Sequence, residues 1–243
     1  MLTEPEIKLL KVKDIHLAGG ILVDGFPSVG LANAIASECM VHSQKAELAG
    51  VMDSPAFPAL SIVRSAMPHF PTRLYVNQEL KLAMFVSELN LDPTLFRPVA
   101  LAMLHWAEES GCSLVISAAG IPQEDDSEVD SQVYAVGSTS RVLKRAAEAG
   151  IPPMISGTIT GIPAILLNEA FVKNLDVMVL LVGVRKDAPD FRAAAAIAVA
   201  LSKLVPGALC DVESLIHEAE IIEDSMKKAR KDQTASPVRE MYG

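Results

Sequence analysis

Gly25-Phe26-Pro27-Ser28-Val29-Gly30 carries the glycine spacing of a phosphate-cradling loop and follows a short apolar run. A Walker loop also needs a Lys to meet the phosphates and a Ser or Thr hydroxyl for magnesium. Leu31 and Ala32 occupy those places, and the GxGxxG spacing of a dinucleotide site is missing too. The expected role of Gly25, Pro27, Ser28 and Gly30 is therefore structural: a tight turn with close backbone approach. Ser28 lacks the GxSxG setting of a hydrolase elbow. The five histidines (His16, His42, His69, His105, His217) show no HxxxH or HExxH spacing. Asp53 could be a catalytic carboxylate, but Met52-Asp53-Ser54-Pro55 reads better as an Asx turn. No triad, carboxylate pair or ligand cluster stands out, so no catalytic residue, metal or cofactor is expected.

The C-terminus has a different chemistry. Lys231-Asp232-Gln233-Thr234-Ala235-Ser236-Pro237 is a polar stretch expected to be a flexible tether over 231–243. It leads to Met241-Tyr242-Gly243. Met offers apolar burial, Tyr a rigid ring with a hydroxyl, and the final carboxylate a charge that a lysine on a partner can meet. These three residues are the candidate partner-binding group.

Half of the 243 residues are hydrophobic, which excludes global disorder. The apolar runs are all short of the ~20 residues that span a bilayer, and the first residues lack a signal-peptide pattern. A cytoplasmic protein without membrane contact is expected. A formal charge of -9 argues against a nucleic-acid surface. The basic cluster Lys227-Lys228-Ala229-Arg230-Lys231 reads as a solvated helix end favoured by the helix dipole. Cys39, Cys112 and Cys210 form no CxxC and are expected to be ordinary half-buried thiols.

Short apolar runs alternating with helical patterns predict an α/β fold. Ile21–Asp24 reads as a buried strand, with Ser28 capping a helix through Val41. Four strand-like pieces follow near Ala46–Met52, Ala59–Val63, Arg73–Val76 and Leu80–Ser87. With no crossover helix between them they should pair antiparallel, giving a mixed sheet. Asp92-Pro93 opens a helix toward Ser110, with a kink or late start at Pro98, and His105-Trp106 on it reads as an interfacial or half-buried pair. Strands are expected at Leu114–Ala118, Gln132–Val136, Met154–Ser156 and Val177–Val182. Helices are expected at Ser140–Ala149, Ala164–Lys173 and Ala193–Leu204. Gln123 to Asp130 reads as an exposed acidic loop. A last helix from Asp211 carries the seam Val212, Leu215, Ala219, Ile222, Met226 and Ala229, suited to packing on its own domain or on another subunit.

Together, the order and spacing of several segments resemble the proteasome assembly chaperone family, in the branch related to the eukaryotic second assembly chaperone. The segments are GFPSVG at 25–30, Asp53 to Pro58, Pro71 to Tyr75, Trp106 before Gly111, Gly157-Thr158-Ile159-Thr160-Gly161-Ile162-Pro163, and Asp190-Phe191-Arg192-Ala193-Ala194. The likeness spans roughly Lys13 to Lys228. It implies a three-layer α/β/α domain over 1–230 with a mixed central sheet and nucleoside-phosphorylase-like topology, ending in a C-terminal helix. It also implies a non-enzymatic, homo-oligomeric protein. The partners would be proteasome α-subunits, met by Met241, Tyr242 and Gly243. Gly157 and Gly161 join the GFPSVG residues as structural turns. The competing reading is an enzyme binding a nucleoside or small metabolite on a phosphorylase-like fold.

Overall fold

The computed structural model describes residues 5–123, 131–186, 188–217, 219 and 220. Its longest fully buried strand is the apolar β10 (Val177–Val184). A run with no polar alternation suits a strand covered on both faces. Beside it lie β8 (Cys112–Pro122), β2 (Gly20–Val23) and β7 (Leu82–Ser87), all parallel. Antiparallel strands complete the sheet. On the β7 side they are β6 (Thr72–Asn77), β3 (Glu47–Asp53) and the edge strand β1 (Lys8–Lys11), and on the far side β9 (Tyr134–Gly137). The sheet order is β1-β3-β6-β7-β2-β8-β10-β9, so the expected mixed sheet is present.

Helices cover both faces. On one, α1 (Ala32–Ser43) and α5 (Phe191–Leu204) pack together through small residues, with Ala32, Ala36, Ala194 and Ala198 fully buried. The helix α3 (Ser140–Glu148) joins them through Val142 and Ala146. The opposite face holds α2 (Phe96–Glu109) against α4 (Ile162–Lys173). Phe85 of β7 lies between Phe26 and Trp106, at ring-centroid distances of 6.5 and 6.1 Å. Trp106 is thus core, while His105 beside it is exposed. Asp92 accepts from Thr94 N at 2.9 Å to open a single 3-10 turn, and Pro98 falls in the first turn of α2, the late start expected of it.

Several expectations need correction. Ser28 does not cap α1, because Gly30 and Leu31 both adopt left-handed backbone (φ 73° and 55°) and break the helix before Ala32. The piece at 59–63 does not join the main sheet. Ile62–Arg64 (β4) pairs instead with Met67–His69 (β5) as a separate hairpin. Met154–Ser156 is not a strand: Pro152 and Pro153 have no N–H to donate, leaving a single bridge from Pro153 to Ala135. The turn after β3 is closed by Ser54, whose Oγ accepts from Ala56 N at 3.2 Å, rather than by Asp53. Cys39 and Cys210 are not free thiols but a disulfide with Cα atoms 5.4 Å apart, and only Cys112 remains free.

From the predicted last helix, Leu215 is buried in the core, Val212 packs partly buried against it, and Ala219 is buried too. Ile222, Met226, Ala229, the basic cluster 227–231, the tether and residues 124–130 of the acidic loop lie outside the described residues.

Candidate functional site

The parallel strands bring their carboxyl ends together, the place where open α/β sheets present their crevice. Asp24 sits there, directly after β2, and is 1% exposed. Its Oδ1 accepts from Phe26 N at 2.9 Å and its Oδ2 from Ser117 Oγ of β8 at 2.6 Å. Burial pushes its carboxyl up to about 6, with the bonds from Ser117 and Phe26 pulling the other way. Asp190 is equally enclosed. It accepts from Ala193 N at 3.0 Å, capping α5, and from Arg185 N at 3.1 Å. Both carboxylates hold loops onto the sheet.

The turn at 25–30 follows from the space available. A Cβ on Gly25 would fall 2.0 Å from Phe85 O, inside any tolerable contact. Gly30 combines positive φ with a Cβ position 2.7 Å from Val184 Cβ. Asn33 Nδ2 donates to Phe26 O at 3.1 Å and Asp190 N to Gly30 O at 2.8 Å, fastening the turn at both ends. Ser28 Oγ is buried with no hydrogen-bond partner among the described residues. The other two expected turn glycines differ. Gly161 has φ 76° at the N-terminus of α4, whereas a Cβ on Gly157 would meet only the end of the Met154 side chain, Cε at 2.8 Å and Sδ at 3.3 Å.

Outside the turn, a groove of about 750 Å³ runs along α1. Pro27, Leu31, Ile35, Val86, Phe191 and Leu215 give it an apolar lining. One rim is an ionic cluster. Arg73 of β6, with a side chain 2% exposed, meets Glu88 Oε1 through Nη2 at 2.6 Å and Glu38 Oε2 at 3.7 Å. Arg64, from the β4–β5 hairpin, reaches the same two carboxylates at 2.7 and 3.0 Å, and its bond to Glu38 raises its already high pKa. The Arg73 guanidinium lies 5.9 Å from the Tyr75 ring centroid, a cation–π distance. Its Nε and Nη1, and Glu88 Oε2, are buried without hydrogen-bond partners among the described residues. The cluster ties the hairpin to α1 and to the end of β7.

Of the residues singled out in the sequence, Pro27 lines this groove, and Met241, Tyr242 and Gly243 lie outside the described residues. Two features escaped the sequence reading, the disulfide and Arg73 with its partners. The second had a signal. Arg73 falls in Thr72-Arg73-Leu74-Tyr75-Val76, a buried strand pattern, and a cation there must find a carboxylate. Among the described residues no group of three or more His, Cys, Asp or Glu is placed to hold a metal, and no helix is long and apolar enough to cross a membrane.

Comparison with known proteins agrees with this architecture. The crystal structure of Pyrococcus furiosus PbaA, an archaeal homolog of proteasome-assembly chaperone, matches with a TM-score of 0.83 and 28% identity, covering 94% of this chain and 93% of that one. P. furiosus PbaB, an archaeal proteasome activator, has the same fold, with a TM-score of 0.80 at 20% identity over 93% of this chain and 99% of its own. An uncharacterized protein of Methanocaldococcus jannaschii is 23% identical over 225 residues, 91% of this chain and 90% of the relative. The PAC2 family model matches residues 22–230. The chain belongs to the PAC2 family.

Proposed function

We propose that this protein is a non-enzymatic proteasome assembly chaperone or proteasome-binding adaptor, working in the cytoplasm as a homo-oligomer. It docks on the α-ring by inserting Met241, Tyr242 and Gly243 between adjacent α-subunits. The observation that carries the reading is the match to PbaA along 94% of the chain at 28% identity. The strand-end carboxylates favour it too: Asp24 and Asp190 spend their oxygens on backbone N–H groups and Ser117. Gly25, Pro27, Ser28, Gly30, Gly157 and Gly161 serve the architecture. Several tails on one oligomer act together, raising avidity above that of a single tail. A pull-down of the cognate α-subunit by the wild-type protein and by Tyr242→Ala tests the reading. Capture that drops about tenfold or more in the variant supports tail docking, since a buried Tyr commonly carries ~2 kcal/mol at an interface. Equal capture removes the tail from the mechanism, and no capture by either protein removes the partner.

A further inference from the structure

We infer that the Cys39–Cys210 disulfide is a redox latch, reducible in the folded protein, that holds residues 208–217 against α1 as one wall of the apolar groove. The bond joins two parts of the chain 171 residues apart. Cys39 lies on α1 and lines the groove, and Cys210 lies in the segment that follows α5. Asp211, Ser214 and Leu215, immediately beyond the bond, line the groove together with Leu31 and Ile35.

The non-covalent attachment of this segment to α1 is thin. Gln44 Nε2 donates to Leu209 O at 2.7 Å and Asp211 N to Ser43 Oγ at 3.3 Å. Ala208 and Leu215 add two buried side chains, and Cys210, Val212 and Ile216 three partly buried ones. The contact between α1 and α5 is built from separate residues, Ala32, Ala36, Ala194 and Ala198 among them, and does not need the bond. Segments with few buried contacts are the ones that open locally, without global unfolding. Opening the disulfide therefore frees the segment and leaves the sheet and its helices in place.

Both sulfurs belong to half-buried residues, beside a groove wide enough to admit a small reductant. The third thiol contrasts with them, since burial pushes Cys112 up to about 11 and keeps it unreactive. The reductant is a dithiol. One of its thiolates attacks a sulfur of the protein disulfide, breaking the S–S bond and forming a mixed disulfide. Its second thiolate then closes an intramolecular disulfide in the reductant. Two electrons and two protons pass to the protein, leaving Cys39 and Cys210 as thiols.

The test uses the full chain bearing Cys112→Ser, so that thiol chemistry reports only on the pair. Oxidised protein is equilibrated with dithiothreitol at neutral pH, the thiols are counted by alkylation and mass, and hydrogen exchange is followed by segment. The expected result is two alkylated thiols in protein whose β8 and β10 amides stay protected, with exchange across 208–217 at least tenfold faster. Reduction that occurs only as β8 and β10 lose protection overturns the latch and leaves a structural staple. Reduction with unchanged exchange at 208–217 overturns it as well. A variant with Cys39→Ala and Cys210→Ala provides a second reading. Fast exchange at 208–217 with a protected sheet, in the absence of reductant, is the predicted pattern, and slow exchange there contradicts it. None of these readouts involves the proteasome, so they stand or fall apart from the proposed function.

Discussion

Ser117 Oγ and Asp24 Oδ2 are 2.6 Å apart, joining the end of β2 to the middle of β8 beneath the GFPSVG turn. With Asp24 buried and its carboxyl raised to about 6 from an ordinary 3.8, the folded protein holds a proton that the unfolded chain releases. Between those two values the native state binds more protons, so this group's contribution to stability falls as pH rises. At about 1.4 kcal/mol per tenfold change in proton affinity, the loss amounts to about 3 kcal/mol once pH is well above 6.

Asp24→Asn isolates that effect. An amide keeps the acceptor for Phe26 N and offers an N–H to Ser117, but has no charge to bury. The expected outcome of denaturant titrations is a variant that gains on the wild type by about 3 kcal/mol between pH 3.5 and 7.5. Glu47, Asp92 and Asp176, whose carboxyls are held low by their partners, act in the opposite sense in both proteins and cancel in the difference. A gap that does not change with pH would show that Asp24 is not the group responsible.

Arg73 and Glu88 give a second prediction. Truncating Glu88 to Ala leaves the buried guanidinium with Glu38 at 3.7 Å as its nearest carboxylate. Breaking a buried pair from one side costs about 3–5 kcal/mol, whereas replacing both partners by neutral groups of similar size costs far less. Chemical denaturation should therefore find Glu88→Ala less stable than the Arg73→Met, Glu88→Gln double variant. The reverse order would mean that the cluster is not a tightly paired one.

The glycines separate by what surrounds them. Gly25→Ala drives a methyl into Phe85 O, a backbone atom that cannot step aside. Overpacking of this kind costs about 1–3 kcal/mol, or prevents folding where the backbone cannot shift. Gly157→Ala presses only on the tip of Met154 and should change stability by less than about 1 kcal/mol. Thermal melts of the two variants should differ clearly, with Gly25→Ala the lower.

The disulfide contributes to global stability whatever its redox role. Closing a loop of 171 residues restricts the unfolded chain, and removing such a bond costs about 2–5 kcal/mol. The Cys39→Ala, Cys210→Ala variant should melt at a lower temperature than oxidised wild type and resemble the reduced wild type. A melting temperature equal to that of the oxidised protein would show that the loop is not restrained.

Much of this molecule was readable from its sequence, and the exceptions share a cause. The strands expected at Val177–Val182 and Leu80–Ser87 form as Val177–Val184 and Leu82–Ser87, because buried strands need unbroken apolar runs. The late start of α2 followed from Asp92, Pro93 and Pro98, which act locally. The errors came from long-range partners. Ser28 reads as a cap, yet Gly30 is left-handed, its carbonyl accepts from Asp190 N and Val184 leaves no room for a side chain on it, both partners lying more than 150 positions away. Cys39 and Cys210 gave no spacing signal, because α1 and the end of α5 meet only in the fold. At the site, Arg73 lies in a strand pattern that is plain in the sequence, but its partners Glu38 and Glu88 come from separate elements. The edge strand β1, with charged Lys8 and Lys11 at its ends, carries too little apolar pattern to stand out.

The account depends most on the claim that a structurally quiet body carries a C-terminal anchor for a proteasome ring. The direct measurement is to mix the protein with the cognate α-subunit and size the product, using the intact chain and a chain ending at Glu240. The account predicts a co-migrating complex with the intact chain and its loss, or a weakening of about tenfold or more, without Met241, Tyr242 and Gly243. A complex of the same size and affinity in both mixtures would contradict it.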